Sequence, residues 1–181
     1  MKIILMKEVI VFGGSSSKSS INKKLAILAS AKLKNKKISI LDLNDFPLPM
    51  YSVDTEMENG LPEEAVRFNN FLSSTDGIII SLAEHNGAYT AAFKNLFDWL
   101  SRIDKNIWKN KPMLLMSTSP GVRGGASVFN TANNSFPRMG GNIVASFSLN
   151  NFETNYSDDK ILDAVLYANF LKEIVRFEEA L

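Results

Sequence analysis

The sequence predicts a three-layer α/β/α fold around a five-stranded parallel sheet with strand order 2-1-3-4-5. Five short apolar runs alternate with helical patterns, and continuous apolar runs are typical of parallel strands that are buried on both faces. Hydrophobic residues make up 45% of the 181-residue chain and charged residues 22%, which is ordinary for one globular domain with a substantial core. We therefore expect a single domain over residues 1–181.

The first predicted strand, over residues 7–12, ends at Gly13 and Gly14, and a serine-rich loop follows it. A helical pattern over residues 20–34 begins directly after this loop. Glycines let the backbone approach a ligand closely, and the unpaired N–H groups and dipole of a helix N-terminus attract anions. Because both the P-loop motif and the dinucleotide fingerprint are absent from the sequence, the stretch favours a phosphate monoester such as that of FMN. Serines before a helix are also ordinary N-caps, so a purely structural role stays open.

The second strand is predicted over residues 37–42, and a long irregular loop is predicted over residues 43–61. Prolines in and directly after this loop disfavour regular structure, and its apolar residues need to be covered. Pro62 suits the first turn of the next helix. The buried stripe of that helix is predicted at Leu61, Ala65, Phe68 and Leu72.

A third strand over residues 77–81 leads into a loop over residues 83–87 and an amphipathic helix over residues 88–102. Trp99 lies off the main apolar stripe of this helix, so the helix presents a second apolar surface. Two interpretations are open at this point. The second surface lies in a subunit interface, or a neighbouring loop of the same chain covers it.

The last third of the chain predicts a fourth strand over residues 111–117, a helix over 126–136 and a fifth strand over 142–149. A polar, asparagine-rich loop is expected over residues 150–157, and a final helix over residues 158–178. The inward face of the final helix is predicted to carry Ile161, Ala164, Val165, Ala168, Leu171 and Val175.

The predicted strand order reverses direction between the first and third strands. In open parallel sheets, ligands bind beyond the carboxyl ends of the strands at such a point of reversal. The loops over residues 14–22 and 83–87 should therefore flank one crevice, which the loop over residues 118–125 borders.

Composition narrows the classes of function. A formal net charge of +1 gives no case for nucleic acid or an anionic membrane as a partner. The absence of cysteine from the sequence excludes disulfides, thiolate metal sites and the nucleophile of a low-molecular-weight phosphatase. His85 is the sole histidine, so no multi-histidine metal site is expected and its use as a general base is disfavoured. A receiver domain has the same sheet order but carries an acidic pair just after its first strand. Gly13 and Gly14 occupy that place here, which argues against a receiver domain.

The N-terminal stretch carries no secretory signal pattern and no apolar run of membrane length, so the cytoplasm is the expected location. The first strand begins naturally at Lys7. Met6 is therefore an alternative start to Met1, with residues 1–5 as a loose extension.

Four motifs in this order resemble those of the NAD(P)H-dependent FMN reductase family, a flavodoxin-like group that includes quinone, azo and chromate reductases. Residues 14–22 match G-S-x-R-x-x-S-x-N, except that Ser17 replaces the usual arginine. Residues 83–86 correspond to P-E-Y-N, with Ala83 and His85 in place of proline and tyrosine, and a helix with the family's L-K-N-x-x-D-W pattern follows. Residues 117–125 match S-x-S-P-G-x-x-G-G in full, and the proline-containing loop after the second strand is also similar.

The resemblance implies a flavodoxin-like enzyme in which bound FMN takes hydride from NADPH or NADH and passes electrons to a flavin, quinone, azo compound or metal oxyanion. No side chain is expected to be catalytic, and no metal is expected. The FMN phosphate would be held by Ser15, Ser17, Ser20, Ile21 and Asn22. The isoalloxazine ring would be lined by Glu84, His85, Asn86 and Gly87, and it would be bordered on the other side by Ser117, Ser119 and Gly121.

The resemblance also implies a homodimer or homotetramer, with the helix over residues 88–102 and the loop over residues 43–61 at the interface. The serine at position 17 implies weaker FMN binding unless Lys18 compensates for the missing arginine. Two alternatives stay open. One is a flavodoxin-like electron carrier, although such carriers are usually strongly acidic, and the other is a flavin-binding sensor or a scaffold without reductase activity.

Overall fold

The structure of the protein, a computed structural model, describes residues 6–181. Residues 1–5, on which the choice between Met1 and Met6 depends, lie outside the described residues. The centre is a parallel sheet of five strands with the order β2-β1-β3-β4-β5, as predicted. Its strands are β1 (Glu8–Gly14), β2 (Lys37–Ile40), β3 (Gly77–Leu82), β4 (Pro112–Thr118) and β5 (Asn142–Leu149).

Helices cover both faces of the sheet, which confirms the predicted flavodoxin-like architecture. They are α1 (Ile21–Ser30), α2 (Val53–Asn59), α3 (Glu63–Ser74), α4 (Ala91–Ile103), α5 (Ala126–Ser135), α6 (Phe152–Asn155) and α7 (Ala164–Ala180). Short 3₁₀ turns lie at Leu43–Asp45 and Phe136–Met139.

The alternation of side chains along β1 divides the core into two layers. Ile10 and Phe12 pack with residues of α3, α4 and α5 on one face of the sheet. Val9 and Val11 pack with residues of α1 and α7 on the other face. The carboxyl ends of the strands therefore open between these two helical layers.

The predicted inward face of the final helix is wrong at Ala164, Val165, Ala168 and Val175, which are exposed. Ile161 is buried in a hairpin before the helix, and Leu171 packs against the core. Val165 and Val175 are 70% and 52% exposed, whereas Phe170, Ile174 and Phe177 are buried. Both stripes have helical spacing, but the aromatic stripe buries more apolar area, and Phe170 packs edge-on against Phe147 with ring centroids 5.3 Å apart.

Two segments that were expected to be irregular contain regular structure. The first is α2, because the hydroxyl of Ser52 caps its N-terminus by accepting from Thr55 N, and the prolines of the loop lie outside it. Leu61, just before α3, is 42% exposed and does not belong to the buried stripe of that helix. The second segment, residues 150–157, holds α6 and the first strand of a small hairpin in which Tyr156–Ser157 pairs with Lys160–Ile161, so the final helix begins at Ala164 and not at residue 158 as predicted.

Trp99 is fully buried within its own chain. Its Nε1 donates to the carbonyl oxygen of Pro49 at 2.8 Å, and the ring of Tyr51 packs edge-on against it at 5.0 Å between centroids. The side chain of Asn95 holds the same loop by donating to Pro49 O and accepting from Tyr51 N. Of the two interpretations of this helix surface, the structure therefore shows the covering loop.

Across residues 6–181, no helix combines the length and the hydropathy needed to cross a bilayer.

Candidate functional site

A crevice of about 230 Å³ lies at the carboxyl ends of β1, β3 and β4. It brings together the three loops that the sequence predicted to meet. Eight of the predicted site residues line it, namely Ser15, Ser17, Ser20, Ile21, Asn22, Glu84, His85 and Ser119. Asn86, Gly87, Ser117 and Gly121 lie outside its lining, and Ser19, Ala83, Thr118 and Pro120 line it although the sequence did not single them out.

The loop over residues 15–20 leaves many backbone donors free. Ser17 N donates to Ser15 Oγ, and the hydroxyl of Ser20 caps α1 by accepting from Lys23 N at 3.1 Å. No acceptor within residues 6–181 pairs with the backbone N–H groups of Ser16, Lys18, Ser19, Ile21 and Asn22. Free N–H groups beside the positive end of a helix dipole form an anion-binding concavity.

Gly13 allows α1 to start this close to the sheet. A Cβ at this position would lie 2.7 Å from the backbone nitrogen of Lys23, so any side chain would push the first turn of α1 away from β1. The glycine therefore fixes where the free N–H groups lie relative to the strand ends.

Lys23, in the first turn of α1, is already paired with a carboxylate. The Nζ of Lys23 lies 2.5 Å from Oδ2 of Asp42. Partial burial raises the pKa of Asp42, but hydrogen bonds from Lys23 and Asn44 outweigh this effect and hold the pKa below its ordinary value. The carboxylate is thus ionised at neutral pH, and the anion-binding capacity of the loop rests on backbone N–H groups and hydroxyls.

Asn22 forms the floor of the crevice and is 2% exposed. Its Oδ1 accepts from Ser81 Oγ at 2.7 Å and from Thr118 N at 2.9 Å, and its Nδ2 donates to Thr118 O at 3.1 Å. The side chain that the sequence assigned to a phosphate thus braces α1 against the ends of β3 and β4. The backbone N–H of Asn22 remains as its free donor.

A small hairpin that the sequence analysis missed forms the second wall. Glu84–His85 pairs with Ala88–Tyr89, and the turn residues Asn86 and Gly87 have φ angles of 52° and 77°. An Asn-Gly dipeptide is the strongest short-range hairpin signal, so this element could have been found from the sequence. Asn86 and Gly87 are exposed, and so is the neighbouring His85.

The carboxylate of Glu84 points toward the N-terminus of α5. Its Oε2 accepts from the backbone nitrogens of Ser127 at 2.8 Å and Val128 at 3.0 Å, in the first turn of α5. Glu84 lines the crevice, but its charged atoms are held by another element.

The third wall depends on two hydroxyls, one buried on Ser117 and one half-buried on Ser148. Ser117 is fully buried, and its Oγ donates to the carbonyl oxygen of Gly124 at 2.7 Å, to which Ser148 Oγ also donates at 2.9 Å. Gly124 has a φ angle of 57°, and a Cβ there would lie 2.5 Å from Ser148 Oγ. Ser117 thus shapes the loop from behind, while Ser119 lines the crevice and Gly121 is exposed at its rim.

The site offers an anion cradle and an open slot between two loops. Among residues 6–181, no three His, Asp or Glu side chains are grouped so that they could hold a metal ion. This arrangement suits a phosphate-bearing planar ligand that carries its own chemistry.

Residues 7–154 match the family model described as NADPH-dependent FMN reductase. A quinone reductase of Escherichia coli (strain K12) is 32% identical over 124 residues, which are 66% of this chain and 63% of that protein. The chain thus spans less than two thirds of the length of this curated relative.

Two solved structures have the same fold over almost the whole chain. FerB of Paracoccus denitrificans, a flavoenzyme NAD(P)H:(acceptor) oxidoreductase, is 26% identical with a TM-score of 0.72, over 97% of this chain and 99% of that one. An azoreductase of Bacillus anthracis is 17% identical with a TM-score of 0.69, over 96% and 100% of the two chains, and supports the fold alone.

Proposed function

Because the chain belongs to the NADPH-dependent FMN reductase family, we propose that it is an NAD(P)H-dependent oxidoreductase that contains FMN. The free backbone N–H groups of Ser16, Lys18, Ser19, Ile21 and Asn22 are the single observation that carries this proposal, since they fit a phosphate monoester without any arginine. When bound, FMN would supply a ring that accepts hydride from NADPH or NADH and passes electrons to a second acceptor.

The residues of the crevice divide the work of holding FMN. The phosphate would lie on the loop that contains Ser15, Ser17, Ser20, Ile21 and Asn22. The ring would lie between the hairpin residues Glu84, His85, Asn86 and Gly87 and the loop residues Ser117, Ser119 and Gly121. Their task is to bind and orient the ring and to leave one face open, because none of these side chains has to move a proton.

The acceptor we favour is a quinone, because a quinone reductase is among the relatives of this chain. A flavin, an azo compound or a metal oxyanion would be tested beside it.

The site also suits a flavodoxin-like electron carrier, which is a binding protein and not an enzyme. The net charge of +1 argues against that alternative, since such carriers are usually strongly acidic.

We expect the purified protein to bind FMN and to oxidise NADPH or NADH over many turnovers when a benzoquinone is supplied. The visible absorbance of the oxidised flavin would fall on anaerobic addition of the nucleotide, because the flavin is reduced. It would return when the quinone reoxidises the flavin. An electron carrier would bind FMN but show almost no steady-state oxidation. A sensor or scaffold without flavin would remain colourless after FMN is added.

Replacing Ser17 with arginine is expected to tighten FMN binding. Ser17 is exposed on the crevice lining, where its hydroxyl contacts only Ser19 Oγ at 3.3 Å among the described residues. A new charge-assisted hydrogen bond contributes about 1.5 kcal/mol, which is roughly a tenfold lower Kd. Flavin fluorescence quenching measures this change, and Ser17→Gln provides a matched side chain without the charge. An unchanged Kd for Ser17→Arg would mean that the phosphate lies elsewhere.

We further propose self-association as a homodimer or homotetramer through the segment over residues 43–61 and the helix over residues 88–102 that this segment covers. Met50, Val53 and Met57 support this assignment, since they are 72%, 60% and 80% exposed on that segment. Sedimentation velocity would distinguish the monomer from either assembly.

We propose the cytoplasm, where NAD(P)H is available, as the place of action.

A further inference from the structure

We propose that Glu84 is a positioning residue that sets the width of the flavin crevice by tying the hairpin after β3 to the first turn of α5. The proposal rests on the proposed function, because the width matters only if a flavin lies between these two walls.

The helix α5 has no N-terminal cap from its own sequence. Its N-cap residue is Gly125, in the left-handed conformation, and glycine offers no side-chain acceptor. Glu84 takes this place from 43 residues earlier in the chain, since its Oε2 accepts from both Ser127 N and Val128 N. A carboxylate at the positive end of a helix gains from the dipole as well as from the two hydrogen bonds.

This cap joins the second wall of the crevice, which is the hairpin, to the third wall, which is the loop before α5. Glu84 belongs to the wall formed by residues 83–85, and α5 follows directly on the loop whose residues 118–120 form the opposite wall. A shift of the first turn of α5 would therefore move the loop over residues 119–125 relative to the hairpin. The carboxylate fixes that separation.

A second tether provides an internal comparison. The hydroxyl of Tyr89, from the same hairpin, lies 3.1 Å from Ser135 Oγ at the far end of α5. Both tethers join the hairpin to the same helix, but only Glu84 lines the crevice. Loss of the Tyr89 hydroxyl should therefore loosen α5 without changing the distance between the walls.

Two variants at position 84 distinguish the contribution of the hydrogen bonds to α5 from that of the negative charge. In Glu84→Gln, the amide oxygen can still accept from both backbone nitrogens, so the wall is held without the negative charge. In Glu84→Ala, the two donors lose their acceptor and the cap is removed.

The experiment measures FMN and riboflavin affinity by fluorescence titration in the wild type, Glu84→Ala, Glu84→Gln and Tyr89→Phe. We expect Glu84→Ala to weaken binding of both flavins at least tenfold in parallel, because the defect concerns the ring and not the phosphate. Glu84→Gln and Tyr89→Phe should stay within threefold of the wild type. Amide hydrogen exchange of the flavin-free proteins should be faster at Ser127 and Val128 in Glu84→Ala alone.

Each other outcome overturns a defined claim. If Glu84→Ala exposes these two amides but binds flavin as the wild type does, the crevice width does not depend on Glu84. If Tyr89→Phe weakens binding as much as Glu84→Ala, the effect belongs to general loosening of the hairpin. If Glu84→Ala does not fold, a tenfold loss in Glu84→Gln with unchanged amide exchange would assign the effect to charge and overturn the tether. If the wild type binds no flavin, the proposed function fails and this inference fails with it.

Discussion

Replacing Asn22 with alanine is expected to lower the free energy of unfolding by about 3 to 4 kcal/mol, because three buried hydrogen bonds are lost together. The substitution leaves the N–H and carbonyl of Thr118 and the hydroxyl of Ser81 without the partner that Asn22 provides. Thr118 is 1% exposed and Ser81 is fully buried, so water has little access to replace that partner. Urea unfolding of the flavin-free protein measures the change.

Asn134 provides the matched control for this substitution, since it is an exposed asparagine within a helix. Asn134→Ala should change the free energy of unfolding by less than about 0.5 kcal/mol, as is usual for surface positions. A loss below about 1 kcal/mol for Asn22→Ala would show that water replaces the side chain, and would contradict its role as the brace between α1, β3 and β4.

Replacing Ile21 with proline is expected to raise the Kd for FMN about 10- to 100-fold, because one charge-assisted hydrogen bond to the phosphate is lost. Ile21 is the first residue of α1, where proline is accepted and its missing N–H breaks no helical bond. The preceding Ser20 has a ψ angle of 115°, which lies outside the α region that proline disfavours in its predecessor. The substitution therefore deletes a donor while the helix backbone keeps its course, and it also removes the partly buried Ile21 side chain from the core layer of α1 and α7.

Riboflavin and a second proline variant test this assignment. Riboflavin has no phosphate, so its affinity should change less than threefold in Ile21→Pro. Ala164→Pro places proline at the first position of α7 after an equally extended Asp163, far from the crevice, and should leave both affinities unchanged. Equal weakening of FMN and riboflavin by Ile21→Pro would move the phosphate away from this helix.

The sequence is sufficient to predict the sheet and the place of the crevice. Continuous apolar runs identify all five strands, the handedness of their connections leaves few strand orders, and the expected order 2-1-3-4-5 is the one present. The three loops were predicted to meet because parallel strands end at one edge, and residues 15–22, 83–85 and 118–120 do meet there.

What the sequence analysis missed depends on distant partners or on competing patterns. The direction of the Glu84 carboxylate is set by Ser127 and Val128, which nothing local to Glu84 reveals. The outward turn of Val165 reflects competition between two stripes of equal period, which only packing volume decides. The bracing contacts of the Asn22 side chain were missed because its partners lie on strands remote in sequence.

The borrowed cap of α5 couples the stability of two elements that are distant in the sequence. The first turn of this helix lacks a side-chain cap of its own, so two of its backbone donors have an acceptor only where the preceding hairpin lies alongside. Local opening of the hairpin would therefore fray the start of α5 as well, and the two elements would open together as one unit.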